Sequence, residues 1–315
     1  MRPPSITQIA QAITAAGIEL DPTGLTPCRG GADNRVFAAR TLDGRHLIVK
    51  AALHDGARYG TAHWAATALA QRGIPAPEVV WHDDRFCVET RCPGTPLTGS
   101  TDLEDTTGNA PTPAARRAAT EAGTLLRRAH DIHVRGYGRL APTGTGPHRT
   151  LHTALHASTQ ALKAPSGPIP AVRRIVLDNA WRLVDSGARL LVGDCAARHI
   201  FVDQRTGAVS GFIDLESARG GDPLADVAGF TVREHPLMTQ ALLAGYFPHG
   251  ADTDERWALT IHRARIAASL WAFHTSRNDH AAARRSAISL TADLTAIATQ
   301  NPTTLPAYTS PESPS

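Results

Sequence analysis

Lysine is almost missing from this 315-residue chain. Only Lys50 and Lys163 occur, and the other 30 of its 32 basic residues are arginines. A residue type used so rarely has to be accounted for wherever it stands. Cysteine is sparse as well: Cys28, Cys87, Cys92 and Cys195 form no C-x-x-C pair and no zinc-ligand spacing, so reduced thiols are expected rather than a metal ribbon or a disulfide scaffold. No run is apolar for long enough to span a bilayer. The opening MRPPSITQIAQAI lacks the apolar stretch of a signal peptide. A soluble, cytoplasmic protein with no membrane partner is therefore expected. The net charge of +3 is spread along the chain without a Lys/Arg block, which argues against a nucleic-acid partner. The G-x-x-x-x-G-K-[ST] pattern is also missing, and with it the P-loop way of holding a triphosphate.

What is present is enough for a sizeable core: 42% of residues are hydrophobic and 19% charged, which suits one two-lobed enzyme or two ordinary domains. Ser5 can cap a short helix with Ile6, Ile9 and Ile13 on one face, stopped by Gly17. A strand-rich region follows. Arg35–Arg40 and His46–Lys50 read as a hairpin around Asp43-Gly44. A helix runs through Trp64, Ala68 and Leu69 to Gly73, and Val79–Trp81 and Phe86–Glu89 read as two further strands. After Cys92-Pro93-Gly94 the texture changes. Residues 95–112 read as a loop, 113–133 as a helix, 141–149 as a loop, and 150–187 as a helical hairpin broken near Pro165, Pro168 and Pro170. Leu190–Val192 and Ile200–Val202 are expected as a strand pair, with a third strand at Val209–Ile213. The remainder reads as helix to about residue 299, then a Pro-, Ser- and Thr-rich tail expected to be disordered. The fold class is α+β: a small β-rich N-terminal lobe with one main helix, and a larger, mainly helical C-terminal lobe.

Three constellations carry chemistry. Gly30-Gly31, with Asn34 just beyond, precedes a strand and permits close backbone approach to a phosphate chain, although such a pair also marks ordinary turns. Lys50 ends an apolar strand one hairpin later. A compact ammonium there suits point contact with phosphate oxygens, whereas an edge cation could as well have been arginine. The segment LLVGDCAARHIFVDQRTGAVSGFIDLE, residues 190–216, places Asp194 and Asp214 beside short apolar strands, with His199 between them. Two such carboxylates suit one base and one metal ligand.

In this order the pieces resemble the aminoglycoside phosphotransferase family, the small-molecule branch of the protein-kinase-like fold. The resemblance covers about residues 5–295 through GGADNRVFAARTLDGRHLIVK, GIPAPEV, RCPGTPL, RRAHDIHVRGYGRL, VGDCAARHIFVD and GFIDLESARGGDPLADVAGF. It implies a bilobal protein-kinase-like fold with a nucleotide-binding lobe at 1–92, a catalytic and acceptor-binding lobe at 93–300 and a tail at 301–315. It also implies transfer of a γ-phosphoryl group from ATP or GTP, with Mg2+, to a small-molecule hydroxyl. By the same resemblance Asp194 takes or orients the hydroxyl proton, Asp214 binds Mg2+, Lys50 holds the α- and β-phosphates, and Gly30 and Gly31 lie over the triphosphate. The backbone from Glu89 through Arg91 to Cys92 forms the hinge that reads the purine. Asp222 and Asp226 brace the metal loop and a helix start.

Three departures from the family pattern stand out. Val192 replaces the usual His before Gly193-Asp194. His199 stands where the family has a metal-binding Asn, and serves as a candidate ligand although Mg2+ prefers oxygen. No Glu lies near Ala62 or His63 to pair with Lys50. A catalytically degenerate nucleotide-binding regulator and a metabolic small-molecule kinase therefore stay open beside an antibiotic phosphotransferase. From Ala225 onward eight acids face seven arginines, and residues 113–182 hold more Arg than acid. A polycation would need an acidic cleft. A neutral or mildly cationic acceptor is expected, such as a nucleoside, a macrolide or a uronamide sugar. Trp257, Trp271, Phe273, Tyr246 and Phe247 read as core, and His262 and His274 as helix-surface residues.

Overall fold

A computed structural model describes residues 4–21, 24–28, 33–98, 110–162 and 167–302. The chain opens with α1 (Ile6–Ala15), where Ser5 and Gln8 cap each other reciprocally. Strands β1 (Thr26–Pro27), β2 (Asn34–Arg40) and β3 (His46–Ala52) follow, then α2 (Tyr59–Ala70), β4 (Val79–His82) and β5 (Phe86–Thr90). The strands form one antiparallel sheet in the order β1-β2-β3-β5-β4. The expected turn joins β2 to β3, with Gly44 at φ +90°. Alternation along the strands then assigns the faces. Leu47, Val49 and Ala51 of β3, with Phe86 and Val88 of β5, pack with Ile9 and Ile13 of α1. Ile48, Lys50 and Glu89 are left to the opposite face, toward the second lobe.

The larger part begins with β6 (Thr95–Pro96) and continues through α3 (Pro113–Ala129), β7 (Gly138–Arg139), α4 (Leu151–Gln160) and α5 (Ile169–Asp178). Next come β8 (Arg189–Leu191), β9 (Ile200–Val202), β10 (Val209–Phe212) and β11 (Arg219–Gly221). Four helices close the chain: α6 (Leu224–Arg233), α7 (Pro236–Tyr246), α8 (Thr253–Ser276) and α9 (His280–Ala298). The connection at residues 92–94 is pressed against β9: a side chain on Gly94, which has φ +85°, would meet the Val202 carbonyl oxygen at 1.8 Å. Among the described residues no helix is long and apolar enough to cross a membrane.

The helix and N-terminal strand expectations are met to within a few residues, and four others need correcting. β8 and β9 are not a pair: β8 belongs to a sheet ordered β7-β11-β8, and β9 to one ordered β10-β9-β6. The loop between them crosses from one ribbon to the other, with only a 3-10 turn at Ala197–His199. β11 interrupts the stretch read as helix. Its Gly220-Gly221 has no strand signature, and the strand exists because β7 and β8 flank it. The helical hairpin is broken near its prolines as expected, between α4 and α5, and Pro170 falls in the first turn of α5, where its missing N–H costs nothing. His262 is buried, not on a helix surface, and its Nε2 lies 3.0 Å from Asp222 Oδ2. Trp257, Tyr246 and Phe247 are core residues as expected, while Phe273 is exposed.

Candidate active site

The site is built around the two loops that flank β9 and β10. The first, after β8, carries Asp194 and His199. Its backbone is fixed by Asp226 of α6, whose carboxylate accepts from the amides of Val192 at 2.7 Å and Gly193 at 3.0 Å. Asp226 thus braces the Asp194 loop rather than the loop that begins at Asp214. Asp222 caps the start of α6 through the Leu224 amide at 2.9 Å. Gly193, at φ +85°, lets the two loops touch: a Cβ there would meet the Ser217 carbonyl oxygen at 1.9 Å. The second loop starts at Asp214, which adopts a left-handed conformation at φ 63° and ψ 42°. Asp and Asn tolerate that region better than other residues with a Cβ.

Asp194, His199 and Asp214 come together. Each offers a ligand atom, and these atoms lie within 4.8 Å of one another. His199 Nδ1 donates to the Asp194 carbonyl at 2.9 Å, and its Nε2 accepts from Arg198 Nε at 3.1 Å and faces Asp214 Oδ2 at 3.6 Å. Two carboxylates and an imidazole fit a divalent cation, with oxygen in the majority. The Asp194 carboxylate is clamped between Arg233 Nη2 and Arg198 Nη2, both at 3.0 Å. Burial by itself would raise its pKa. Arg233, then His199 and Arg198, outweigh burial and hold the carboxyl below the usual range.

Lys50 is buried but not alone. Its Nζ lies 2.8 Å from Glu216 Oε1 and 3.2 Å from Glu89 Oε1. Asn34 Nδ2 donates to Glu216 Oε2 at 2.9 Å, and the Tyr59 hydroxyl donates to Asn34 Oδ1 at 2.7 Å. The partner missing from α2 is therefore replaced by a carboxylate from each side of the cleft, and α2 joins the network through Tyr59. Burial would lower the lysine pKa, but Glu89, Glu216 and Asp214 more than offset it and raise it. Glu89 is itself pushed up by burial, with Lys50 opposing. The Glu89 side chain thus serves Lys50, its backbone being part of the β3–β5 ladder.

Lys50, Glu89, Arg91, Cys92, Asn34, His199, Asp214 and Glu216 all line one cavity of about 500 Å³ between the lobes, with Val36, Ile48, Phe201 and Ile213 among its apolar walls. Asp194 opens instead into a neighbouring cavity of about 240 Å³. Gly30 and Gly31 lie outside the described residues, as does Lys163. Glu216, Arg198 and Arg233 were missed from sequence. Glu216 is two residues after Asp214, and Arg198 one helical turn after Asp194, so proximity could have raised both. Arg233 arrives from α6 with no local signal.

A lysine–carboxylate network facing a cleft, opposite one aspartate in the loop after β8 and another that opens the loop after β10, is the arrangement expected of a kinase-like phosphotransferase fold. The phosphotransferase enzyme family model matches residues 24–288; the chain belongs to this family and is a small-molecule phosphotransferase. No curated protein matches the chain. Among solved structures, a thermostable mutant of aminoglycoside phosphotransferase APH(4)-Ia is similar at TM-score 0.69 and 17% identity, covering 90% of this chain and 97% of that one. The macrolide 2'-phosphotransferase MphH from Brachybacterium faecium is similar at TM-score 0.59 and 18% identity, covering 89% and 97%. A putative fructosamine-3-kinase from Thermobifida fusca is similar at TM-score 0.61 and 18% identity, covering 91% and 100%. At these identities the likeness is one of fold.

Proposed function

We propose that this phosphotransferase moves the γ-phosphoryl group of ATP or GTP onto a hydroxyl of a small natural product of the antibiotic kind, and that the acceptor is not a polycation. The observation that carries the reading is that the Asp194–His199 loop places His199 on a cavity large enough for a nucleotide and Asp194 on a smaller one beside it. In this reading Lys50 holds the α- and β-phosphates, oriented by Glu216 and Glu89. The apolar walls Val36, Ile48, Phe201 and Ile213 take the purine, and the backbone near Arg91 and Cys92 reads its edge. Asp214 and His199 would hold the divalent cation, Mg2+ by family resemblance. When bound, that cation neutralises charge on the phosphate oxygens. Asp194 accepts the hydroxyl proton or orients the attacking oxygen, and its depressed pKa keeps it ionised for that task. Arg198 and Arg233 fix its rotamer. Phosphoryl transfer needs positioning and charge neutralisation more than covalent help, and these groups supply both.

The lobes divide after Cys92 in this reading, with 1–92 serving the nucleotide and 93–300 the acceptor. One complex of APH(4)-Ia holds ADP and hygromycin B, which supports a nucleotide donor and an antibiotic acceptor by analogy. The fructosamine-3-kinase likeness favours a second reading, a metabolic kinase of similar chemistry. Mass spectrometry of reactions with Mg2+, ATP or GTP and a panel of nucleosides, aminoglycosides, macrolides and sugars tests both. A phosphorylated product that vanishes with Asp194→Asn is expected. Product from the polycationic aminoglycosides alone would refute the acceptor class.

A further inference from the structure

The cavity beyond Asp194 is basic, and its charges do not balance. Three of its lining side chains are arginines: Arg219 from β11, Arg233 from α6 and Arg265 from α8. Its two carboxylates are already engaged. Asp194 is shared by Arg198 and Arg233, and Asp226 holds the Val192 and Gly193 amides. Among the described residues Arg219 keeps one hydrogen bond, 3.3 Å from Nε to the Ser217 carbonyl. Arg265 has less: its Nε is shut away from solvent without a hydrogen-bond partner, and no ion pair reaches it among the described residues. Burial, followed by the neighbouring Arg219, pushes the Arg265 guanidinium down to about 10 against the opposing charge of Asp222, whose carboxylate is already bonded to His262 and the Leu224 amide.

A buried guanidinium without a direct ion-pair partner is costly. Its planar fork matches a carboxylate or phosphate face to face. We propose that this cavity is an oxyanion pocket, in which Arg265 and Arg219 bind a carboxylate or phosphate group carried by the acceptor, next to the hydroxyl that Asp194 faces. The pocket is about 240 Å³, room for the charged end of a molecule rather than a whole antibiotic. Leu191, Ile266 and Leu270 give it an apolar flank. The inference rests on the reading of Asp194 as the acceptor-facing group. It goes beyond composition, which pointed only to a neutral acceptor.

The test uses the full chain with saturating AMP-PNP and Mg2+, so that the nucleotide cavity is filled. Sodium phosphate and sodium acetate are titrated separately at constant ionic strength, and the thermal midpoint is followed. A ligand that binds only the folded state raises that midpoint with concentration. The wild type is expected to gain a few degrees with at least one anion, and the two arms tell phosphate from carboxylate. R265M is expected to lose most of the gain while melting no lower than wild type without anion. Equal gains in both proteins, or no gain in wild type with either anion, overturn the proposal. Should R265M not fold, selenate soaked into wild-type crystals decides. Anomalous density within hydrogen-bond reach of Arg265 supports the pocket, and density only elsewhere overturns it. Displacement of a fluorescent ATP analogue tests the phosphotransfer reading separately. Lost nucleotide binding with an intact anion response defeats that reading alone and leaves the pocket standing.

Discussion

The two cavities beside the Asp194 loop carry opposite excesses of charge. In the larger, proposed for the nucleotide, Lys50 faces Glu89, Glu216 and Asp214, with Arg91 and His199 nearby. On the other side, three arginines face two carboxylates that are already spent. A triphosphate is an anion, so an acid-rich cavity suits it only if a divalent cation comes with it. The cavity beyond needs no such carrier: its arginines meet an anion directly. One loop of six residues, Asp194 to His199, separates these two electrostatic environments and supplies a side chain to each.

The sharpest way to break this comparison is at its boundary. Asp194→Asn should lower kcat/KM by about 10²–10⁴-fold while nucleotide affinity, measured by calorimetry, stays within a small factor. Loss of both together would mean that Asp194 serves the nucleotide cavity instead. Lys50→Met should come next. It leaves Glu89 and Glu216 buried without their cation, so urea unfolding should show a loss of about 3–5 kcal/mol along with weakened nucleotide binding. A variant with undiminished stability would show that the two carboxylates are neutral beside Lys50.

The arginine side is probed by pH. Asp194 is depressed relative to its unfolded value, chiefly by Arg233 against burial. The ionised form is therefore present above the ordinary carboxylate range and is lost only as pH falls through the lower folded pKa. Arg233→Gln removes the largest depressing charge, so the acid limb of the pH–rate profile should move to higher pH. An unmoved limb would assign it to another group. The smallest effect is expected at His199. Imidazole favours Mn2+ over Mg2+ more than an amide does. His199→Asn should narrow the ratio of Mn2+ to Mg2+ affinity, read by Mn2+ electron paramagnetic resonance, and the wild-type spectrum should show nitrogen hyperfine coupling that the variant lacks.

Much of the N-terminal lobe could be read directly. The Ser5 cap, the Asp43-Gly44 turn and the alternation of Leu47-Ile48-Val49-Lys50 are local signals, and each appears in the structure where expected. Lys50 stood out because the chain almost never uses lysine. Asp194, His199 and Asp214 fell within one short segment, and they do meet. The reading faltered where partners come from far along the chain. Glu216 lies 166 residues from Lys50, and Asp226 lies 34 from Val192. β11 failed for the same reason, since a Gly-Gly strand exists only through the neighbours that pair with it. His262 looked like a surface residue because no periodicity announces a hydrogen bond to Asp222 from another element.

The sequence by itself determined most of the elements, the two-lobed order and which carboxylates meet at the cleft, because helix caps, turns and strand alternation are set by residues within a few positions of one another. The tertiary structure alone decided which charges meet. It gave Lys50 two carboxylates from opposite sides of the cleft, clamped Asp194 with an arginine from α6, and, among the described residues, left Arg265 of α8 without an ion-pair partner beside the second cavity. Coulomb energy depends on distance and burial, and neither is a property of position along a chain.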